Sequence, residues 1–110
     1  MIESVIKIEH YQSDKGRVPF DEWFDSLDGR NQAAVERRVA AVEAHKHFGD
    51  CSSLRGGLFE MRLLGPGLRI YFAYLGQAIV LLLGGSDKGS QKRAIKTARD
   101  RLKDFGERTK

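Results

Sequence analysis

The chain has 110 residues, of which 41 % are hydrophobic, and a formal net charge of +4. This size suits a single domain with one modest core, so residues 1–110 are expected to form one domain. The longest apolar run, residues 78–83, is far too short to span a membrane, and the one cysteine, Cys51, excludes an internal disulfide and a cysteine metal cluster. With no apolar signal core near the N-terminus, these features predict a cytoplasmic protein.

Charge is distributed unevenly along the chain. Residues 1–50 carry seven Lys/Arg and ten Asp/Glu, whereas residues 88–110 carry nine Lys/Arg and three Asp/Glu. A basic C-terminal segment of this kind predicts a polyanion partner. A helix with a solvated basic face explains the same charges equally well.

The N-terminal half predicts one strand followed by two helices. Apolar residues alternate with charged ones over residues 2–9, as in a strand with one buried face. Pro19 suits the first turn of a helix, and Asp28-Gly29 is expected to end it. Residues 31–47 predict a second helix. The apolar stripe of the first helix consists of Phe20, Trp23, Phe24 and Leu27.

The C-terminal half predicts a strand meander followed by a helix. Strands are expected over residues 58–64, 68–74 and 78–83. Residues 84–89 predict a loop, after which Ser90 can cap the last helix. The inner side of that helix consists of Ile95, Ala98, Leu102 and Phe105. The order strand-helix-helix-strand-strand-strand-helix predicts an α+β fold, with helices packed mainly on one face of an antiparallel sheet.

A candidate site lies on the first two strands of the meander. Two-residue spacing puts Glu60 and Arg62 on one face of their strand, and Arg69 and Tyr71 on one face of the next. A turn at residues 65–67 allows the two pairs to face each other. The opposite face is apolar, so this face is expected to be open. The rim could be completed by Arg55 and Lys88.

These residue types fit the cleavage of RNA without a metal. The reaction needs a base for the 2′-hydroxyl, cations for the phosphoryl oxygens and an acid for the leaving oxygen. Arginine matches phosphate oxygens bidentately, a glutamate or a lysine can act as base, and a tyrosine can stack on a nucleobase. The alternative is a cross-strand salt bridge on a solvated face, worth about 0–1 kcal/mol, and spacing alone favours it.

No other motif in the sequence indicates a catalytic or metal site. His45 and His47 lie two apart, so they do not share a helix face, and His10 stands alone. The sequence has no glycine-rich phosphate loop, nucleophile elbow or zinc spacing. We therefore expect no metal and no small-molecule cofactor.

Three segments of the chain resemble one known family. They contain the series E-x-R at residues 60–62, G-x-G-x-R-x-Y-F at residues 65–72 and G-G-x-x-K-x-x-Q at residues 84–91. In this order, together with the Pro-Phe-x-x-Trp start of the first helix, they resemble the HigB-like, phage-derived "addiction module killer" branch of the RelE/ParE toxins. The likeness covers nearly the whole chain.

This resemblance implies a type II toxin that enters the ribosome and cuts messenger RNA. Arg62 and Arg69 match positions of phosphate-binding cations, Glu60 matches the position of a proposed base, and Lys88 lies near a late arginine of that family. These four are the expected catalytic residues. The residues expected to bind RNA are Arg55, Tyr71, Lys92, Arg93 and Lys96.

The chain also departs from the family pattern, because it has no clear counterpart of a late tyrosine or histidine. A binding inhibitor without chemistry, such as a ParE-like poison of DNA gyrase, therefore stays open as the alternative. The implied partners are the ribosome, messenger RNA and a cognate antitoxin, with no membrane. Because the candidate face and the last helix are basic, an acidic antitoxin is expected. It could cover the candidate face directly or pack on the first two helices, and we favour the second arrangement.

Overall fold

The computed structural model describes residues 5–63, 65 and 67–109. Their elements form an α+β fold in the expected order, with one short additional strand. The elements are β1 (Lys7–His10), α1 (Pro19–Asp25), α2 (Gly29–His45), β2 (Cys51–Ser53), β3 (Leu58–Leu63), β4 (Leu68–Leu75), β5 (Ile79–Ser86) and α3 (Gln91–Arg108).

The five strands form one mixed sheet in the order β1-β5-β4-β3-β2. Strands β2 to β5 pair antiparallel, as expected for a meander, whereas β1 pairs parallel with β5. Of the predicted first strand, residues 2–4 lie outside the described part of the chain. Ile6 is buried, and Ile8 packs against the same apolar cluster.

The helices cover both faces of the sheet, so the prediction that they lie mainly on one face is wrong. Helices α1 and α2 pack over a cluster that includes Phe20, Val35 and Phe72. Helix α3 packs over a second cluster on the other face, where Ala98 is fully buried. The apolar residues of that second face are Leu58, Ala73, Leu81 and Leu83.

Helix boundaries differ slightly from the predicted ones. Asp28 does not end α1, which stops at Asp25. Instead its side chain accepts a hydrogen bond from the Asn31 backbone N–H at 2.8 Å and caps the start of α2. Ser90 occupies the position before α3 without a capping side-chain bond. Its backbone N–H donates to Asp87 Oδ1 at 2.9 Å, so Asp87 orders this turn.

Strand β5 continues through residues that the sequence assigned to a loop. Gly84, Gly85 and Ser86 all pair with β4, so only residues 87–90 connect β5 to α3. A side chain at position 85 would lie 2.4 Å from the Trp23 ring. The absence of a Cβ there lets α1 pack directly on the end of β5.

Candidate functional site

The sheet register brings the predicted site residues together on the face that α3 covers. Glu60 pairs with Tyr71, and Arg62 pairs with Arg69, across β3 and β4. Arg69 in turn pairs with Ser86 on β5. Lys88 follows Ser86 by two residues, so it lies at the same end of the sheet. The predicted clustering of these strand residues is therefore confirmed.

The expectation that this face is open is wrong at its centre. Glu60 and Tyr71 are each 1 % exposed, because α3 packs over them. The Tyr71 ring is therefore not available to stack on a nucleobase. Its hydroxyl lies 2.8 Å from Ser86 Oγ, and burial raises the pKa of this hydroxyl.

Glu60 is the centre of a buried ionic network. Its Oε1 accepts a hydrogen bond from Gln91 Nε2 at 2.7 Å and lies 3.4 Å from Arg69 Nε. Its Oε2 lies 3.4 Å from Arg62 Nη1. A buried carboxylate is stable only with such partners. Both oxygens are thus engaged, and Glu60 holds the two guanidinium groups and the first turn of α3 together.

Arg62 is held on several sides by the edge of the sheet. Its Nε and Nη2 donate to the two carboxylate oxygens of Asp50 at 3.2 and 2.9 Å, and Nη2 also donates to Ser52 Oγ at 2.8 Å. The hydrogen bonds to Asp50 raise the pKa of Arg62, and they lower the pKa of Asp50. Most of the Arg62 donors are therefore used within the protein.

Arg69, in contrast to Arg62, has few partners within the protein. Its Nε is buried without a hydrogen bond, and its only ionic contact within the described residues is the 3.4 Å approach to Glu60. The side chain is 13 % exposed, and its terminal nitrogens make no hydrogen bond to the described chain. The fork of Arg69 is therefore the group in this network that is free to bind an anion.

Exposed cations surround this end of the sheet. Lys92, Arg93 and Lys96 line a shallow depression on the first turns of α3, with Gly89 and Ser90. Lys96 forms an ion pair with Asp100 at 3.1 Å. Lys88, Lys92 and Arg93 are exposed and have no acidic partner among residues 5–63, 65 and 67–109. Their positive charges therefore face solvent.

Arg55 does not join the other predicted site residues. It lies in the turn between β2 and β3, at the opposite end of β3 from Arg62. Its φ of 71° is left-handed, and its carbonyl accepts a hydrogen bond from Arg99 Nη1 at 3.1 Å. Arg55 is exposed, but the structure separates it from the network around Glu60.

Sequence reasoning missed four residues of the site. Asp50 precedes β2 and Ser52 lies within it, and a strand of three residues is too short to show alternation. Gln91 belongs to the G-G-x-x-K-x-x-Q series, and that spacing was the one available signal for it. The sequence predicts a loop at Ser86, whereas the structure has this residue in β5. No group of three or more potential metal ligands is found in the described residues, and no helix there could span a membrane.

Comparisons with known proteins fit this architecture. A free-state structure of a double arginine-to-alanine mutant of the E. coli toxin RelE is similar, with a TM-score of 0.65 at 11 % identity, covering 91 % of this chain and 99 % of that one. At this identity the likeness shows the fold alone. An uncharacterized protein of Haemophilus influenzae is 33 % identical over 94 residues, covering 84 % of this chain and 94 % of the relative.

A family model described as "Phage derived protein Gp49-like (DUF891)" matches residues 22–103, which include all the described network around Glu60. The match spans most of the chain. The chain therefore belongs to the phage-derived Gp49-like family and has a RelE-like α+β fold.

Proposed function

We propose that the protein is the toxin of a type II toxin–antitoxin module and that it cuts messenger RNA on the ribosome, as in the HigB-like branch. The observation that carries this proposal is the free fork of Arg69 beside the exposed Lys88, Lys92 and Arg93. An arginine with an unused fork, at the end of the sheet where exposed cations also lie, suits the extra charge that develops on a phosphate during cleavage. The similarity to the toxin RelE supports the fold that such a site requires.

The contacts give each proposed site residue a distinct role. Arg69 binds the scissile phosphate, and Arg62, oriented by Asp50, contributes its remaining N–H. Glu60 is buried with both oxygens engaged, so it positions the arginines. Lys88, exposed in the loop that follows β5, is assigned both proton transfers: it takes the proton of the attacking 2′-hydroxyl and gives a proton to the leaving 5′-oxygen as the phosphorus–oxygen bond breaks.

Programmed ribosomes test this function directly. Purified protein is added to ribosomes stalled with a defined codon in the A site, and transcript ends are mapped by primer extension. The proposal expects cuts within the A-site codon, and no cuts in the same transcript without ribosomes. Intact transcripts in both cases would contradict the proposal.

A second candidate function is inhibition by binding alone, as by a ParE-like gyrase poison. The burial of Glu60 favours it, because a carboxylate without access to substrate cannot remove a proton from it. A supercoiling assay with DNA gyrase separates the two functions. Inhibition of gyrase with no ribosome-dependent cleavage would favour the second candidate.

The proposed function implies a cytoplasmic location and a neutralising antitoxin. On the α1–α2 side lies a groove of about 350 Å³ that is apolar inside, with Phe20 and Phe24, and has Asp21, Glu36 and Glu43 at its rim. An antitoxin segment seated there would carry apolar residues flanked by Lys or Arg, rather than the acidic residues that the net charge suggested. Exchanging Glu36 and Glu43 for Lys should then weaken antitoxin binding, whereas an antitoxin over Arg69 would be weakened by Arg69→Ala.

A further inference from the structure

A narrow cleft separates the end of β5 from one flank of α3. It has a volume of about 210 Å³. Arg93, Thr97 and Arg101 form its helix wall, because residues four apart share a helix flank. Gly84 and Ser86 form its sheet wall. We propose that this cleft binds a backbone phosphate of single-stranded RNA, next to the phosphate at Arg69; the inference rests on the proposed function.

The walls of the cleft are cationic. Arg101 Nη1 donates to the Leu83 carbonyl at 2.8 Å, so the guanidinium is fixed in place and keeps its other nitrogens for a ligand. Arg93 is exposed, and its guanidinium makes no hydrogen bond or ion pair to residues 5–63, 65 or 67–109. None of the described residues that line the cleft is acidic. An anion is therefore the ligand that fits the charge.

The floor of the cleft offers a hydrogen-bond donor that the described chain does not use. The hydroxyls of Tyr71 and Ser86 lie 2.8 Å apart and belong to residues that are 1 % and 5 % exposed. One hydroxyl hydrogen forms the bond between them, and the other has no acceptor among the described residues. A buried donor without an acceptor in the protein is unfavourable, so a ligand that brings an acceptor to this position is favoured. A phosphate oxygen would satisfy it.

The glycine at position 84 is required for this arrangement. A Cβ at this position would lie 2.6 Å from Arg101 Nη1, and the φ of +151° is one that other residues rarely adopt. Gly84 therefore admits Arg101 to the cleft on one face of β5, while Gly85 admits Trp23 on the other face. Each of the two adjacent glycines of the G-G-x-x-K-x-x-Q series is thus required by a different neighbouring side chain.

The cleft continues into the exposed basic surface of α3. Ser90 and Arg93 line both the cleft and the depression that contains Lys92 and Lys96. A polyanion bound in the cleft can therefore extend over further cations, which an isolated phosphate ion cannot do. Ser86 also pairs with Arg69 across β4 and β5, so the cleft is adjacent to the proposed scissile site. This continuity favours an RNA strand as the ligand.

The test compares binding of a short fluorescein-labelled single-stranded oligoribonucleotide by fluorescence anisotropy. The double variant Tyr71→Phe/Ser86→Ala removes both floor hydroxyls with little change of shape, which leaves no unpaired partner behind. It is expected to bind about tenfold more weakly than the parent, with the same dependence on salt, and Arg93→Gln is expected to lose about as much. Arg37→Gln, on the exposed side of α2, is the matched control and should stay within about twofold of the parent, since it removes one charge far from the cleft.

Unchanged binding by the double variant would overturn the proposal, even if Arg93→Gln binds weakly, because surface charge alone would then explain the affinity. If the double variant does not fold, NMR of the parent decides the question. The backbone amides of residues 84–86 are expected to shift on addition of the oligoribonucleotide, and no shift there would overturn the proposal. Saturation of the same amides by inorganic phosphate with equal affinity would show a free-anion site and overturn the assignment to RNA.

The ribosome assay distinguishes failure of this inference from failure of the proposed function. If the parent cuts message on ribosomes but the double variant binds RNA normally, the cleft proposal fails alone. If the parent cuts nothing but the double variant loses binding, the cleft stands and the endoribonuclease proposal fails.

Discussion

The two faces of the sheet are both covered by helices, yet they are built differently. Under α1 and α2 the buried cluster is wholly apolar, and Phe72 stacks with Phe48 and Phe59 at ring centroid distances of 5.5 Å. Under α3 the buried set includes Glu60 and Ser86, the two buried polar residues in the described part of the chain. The apolar face therefore stabilises the fold by packing, whereas burial of polar groups under α3 reduces the stability that the other face contributes.

The net charge of the helices follows the same division. Helices α1 and α2 together carry five Asp/Glu and three Lys/Arg, whereas α3 carries three Asp/Glu and seven Lys/Arg. Because these helices lie on opposite faces, the charge asymmetry along the sequence becomes an asymmetry across the thickness of the molecule. The face with the buried polar groups is thus also the face covered by the positively charged helix.

The largest effect is expected from truncation on the apolar face. Phe72→Ala should lower the free energy of unfolding by about 3–5 kcal/mol, because it removes a buried ring and leaves a cavity between two stacked neighbours. Urea unfolding followed by circular dichroism measures this loss. The double variant Tyr71→Phe/Ser86→Ala is the comparison on the other face and should lose far less. Equal losses would show that the two faces contribute alike to stability.

On the face that α3 covers, a smaller free-energy change is expected, and it concerns the activation free energy of cleavage rather than stability. Arg69→Lys keeps the positive charge beside Glu60 and loses the planar fork, so cleavage on ribosomes should slow by about 10²–10³, or about 2.7–4 kcal/mol, while the fold persists. Arg62→Lys is the matched control and should have the smaller effect on rate, because most Arg62 donors already bind Asp50 and Ser52. A larger loss for Arg62→Lys would reverse the roles that we propose for the two arginines.

The basic side of the molecule can be tested by the salt dependence of RNA binding. Exchanging Lys92 and Lys96 for Gln should make the slope of log affinity against log salt less steep by about 1.4, since each phosphate contact on a single strand contributes about 0.7. The same exchange at Arg30 and Arg37 on α2 should leave the slope unchanged. A similar change of slope for both pairs would mean that only net charge matters.

Much of the fold was predictable because strand alternation and helical spacing are local properties. The face of the sheet that α3 covers was not predictable, because the apolar stripe of α3 can pack against either face. The sequence did indicate that helices cover both faces of the sheet. Residues 78–83 are apolar on both sides of their strand, and Leu58 shares a face with Glu60. An antiparallel meander with helices on one face leaves those residues exposed.

The candidate site shows the same limit. The pairing of Arg62 with Arg69 followed from two-residue periodicity and a turn between the strands, and it is confirmed. The burial of Glu60 depends on where α3 packs, and the contact with Asp50 depends on a strand of three residues. Both are long-range outcomes that no local pattern encodes.

The smallest expected effect concerns Asp50 and acid stability. Its hydrogen bonds with Arg62 lower its pKa, so the pair stabilises the folded state above the unfolded pKa of Asp, about 3.9, and this stabilisation is lost as the pH falls through the lowered folded value. Asp50→Asn should therefore melt below the parent at pH 7, and the difference in melting temperature should shrink steadily below about pH 4. Because the pair is partly exposed, the effect is modest. Asp25→Asn, at an exposed residue with no ion pair to the described chain, should show no such convergence. A difference for Asp50→Asn that stays constant from pH 7 to pH 3 would mean that the Asp50 carboxylate contributes to the polar face by packing rather than by charge.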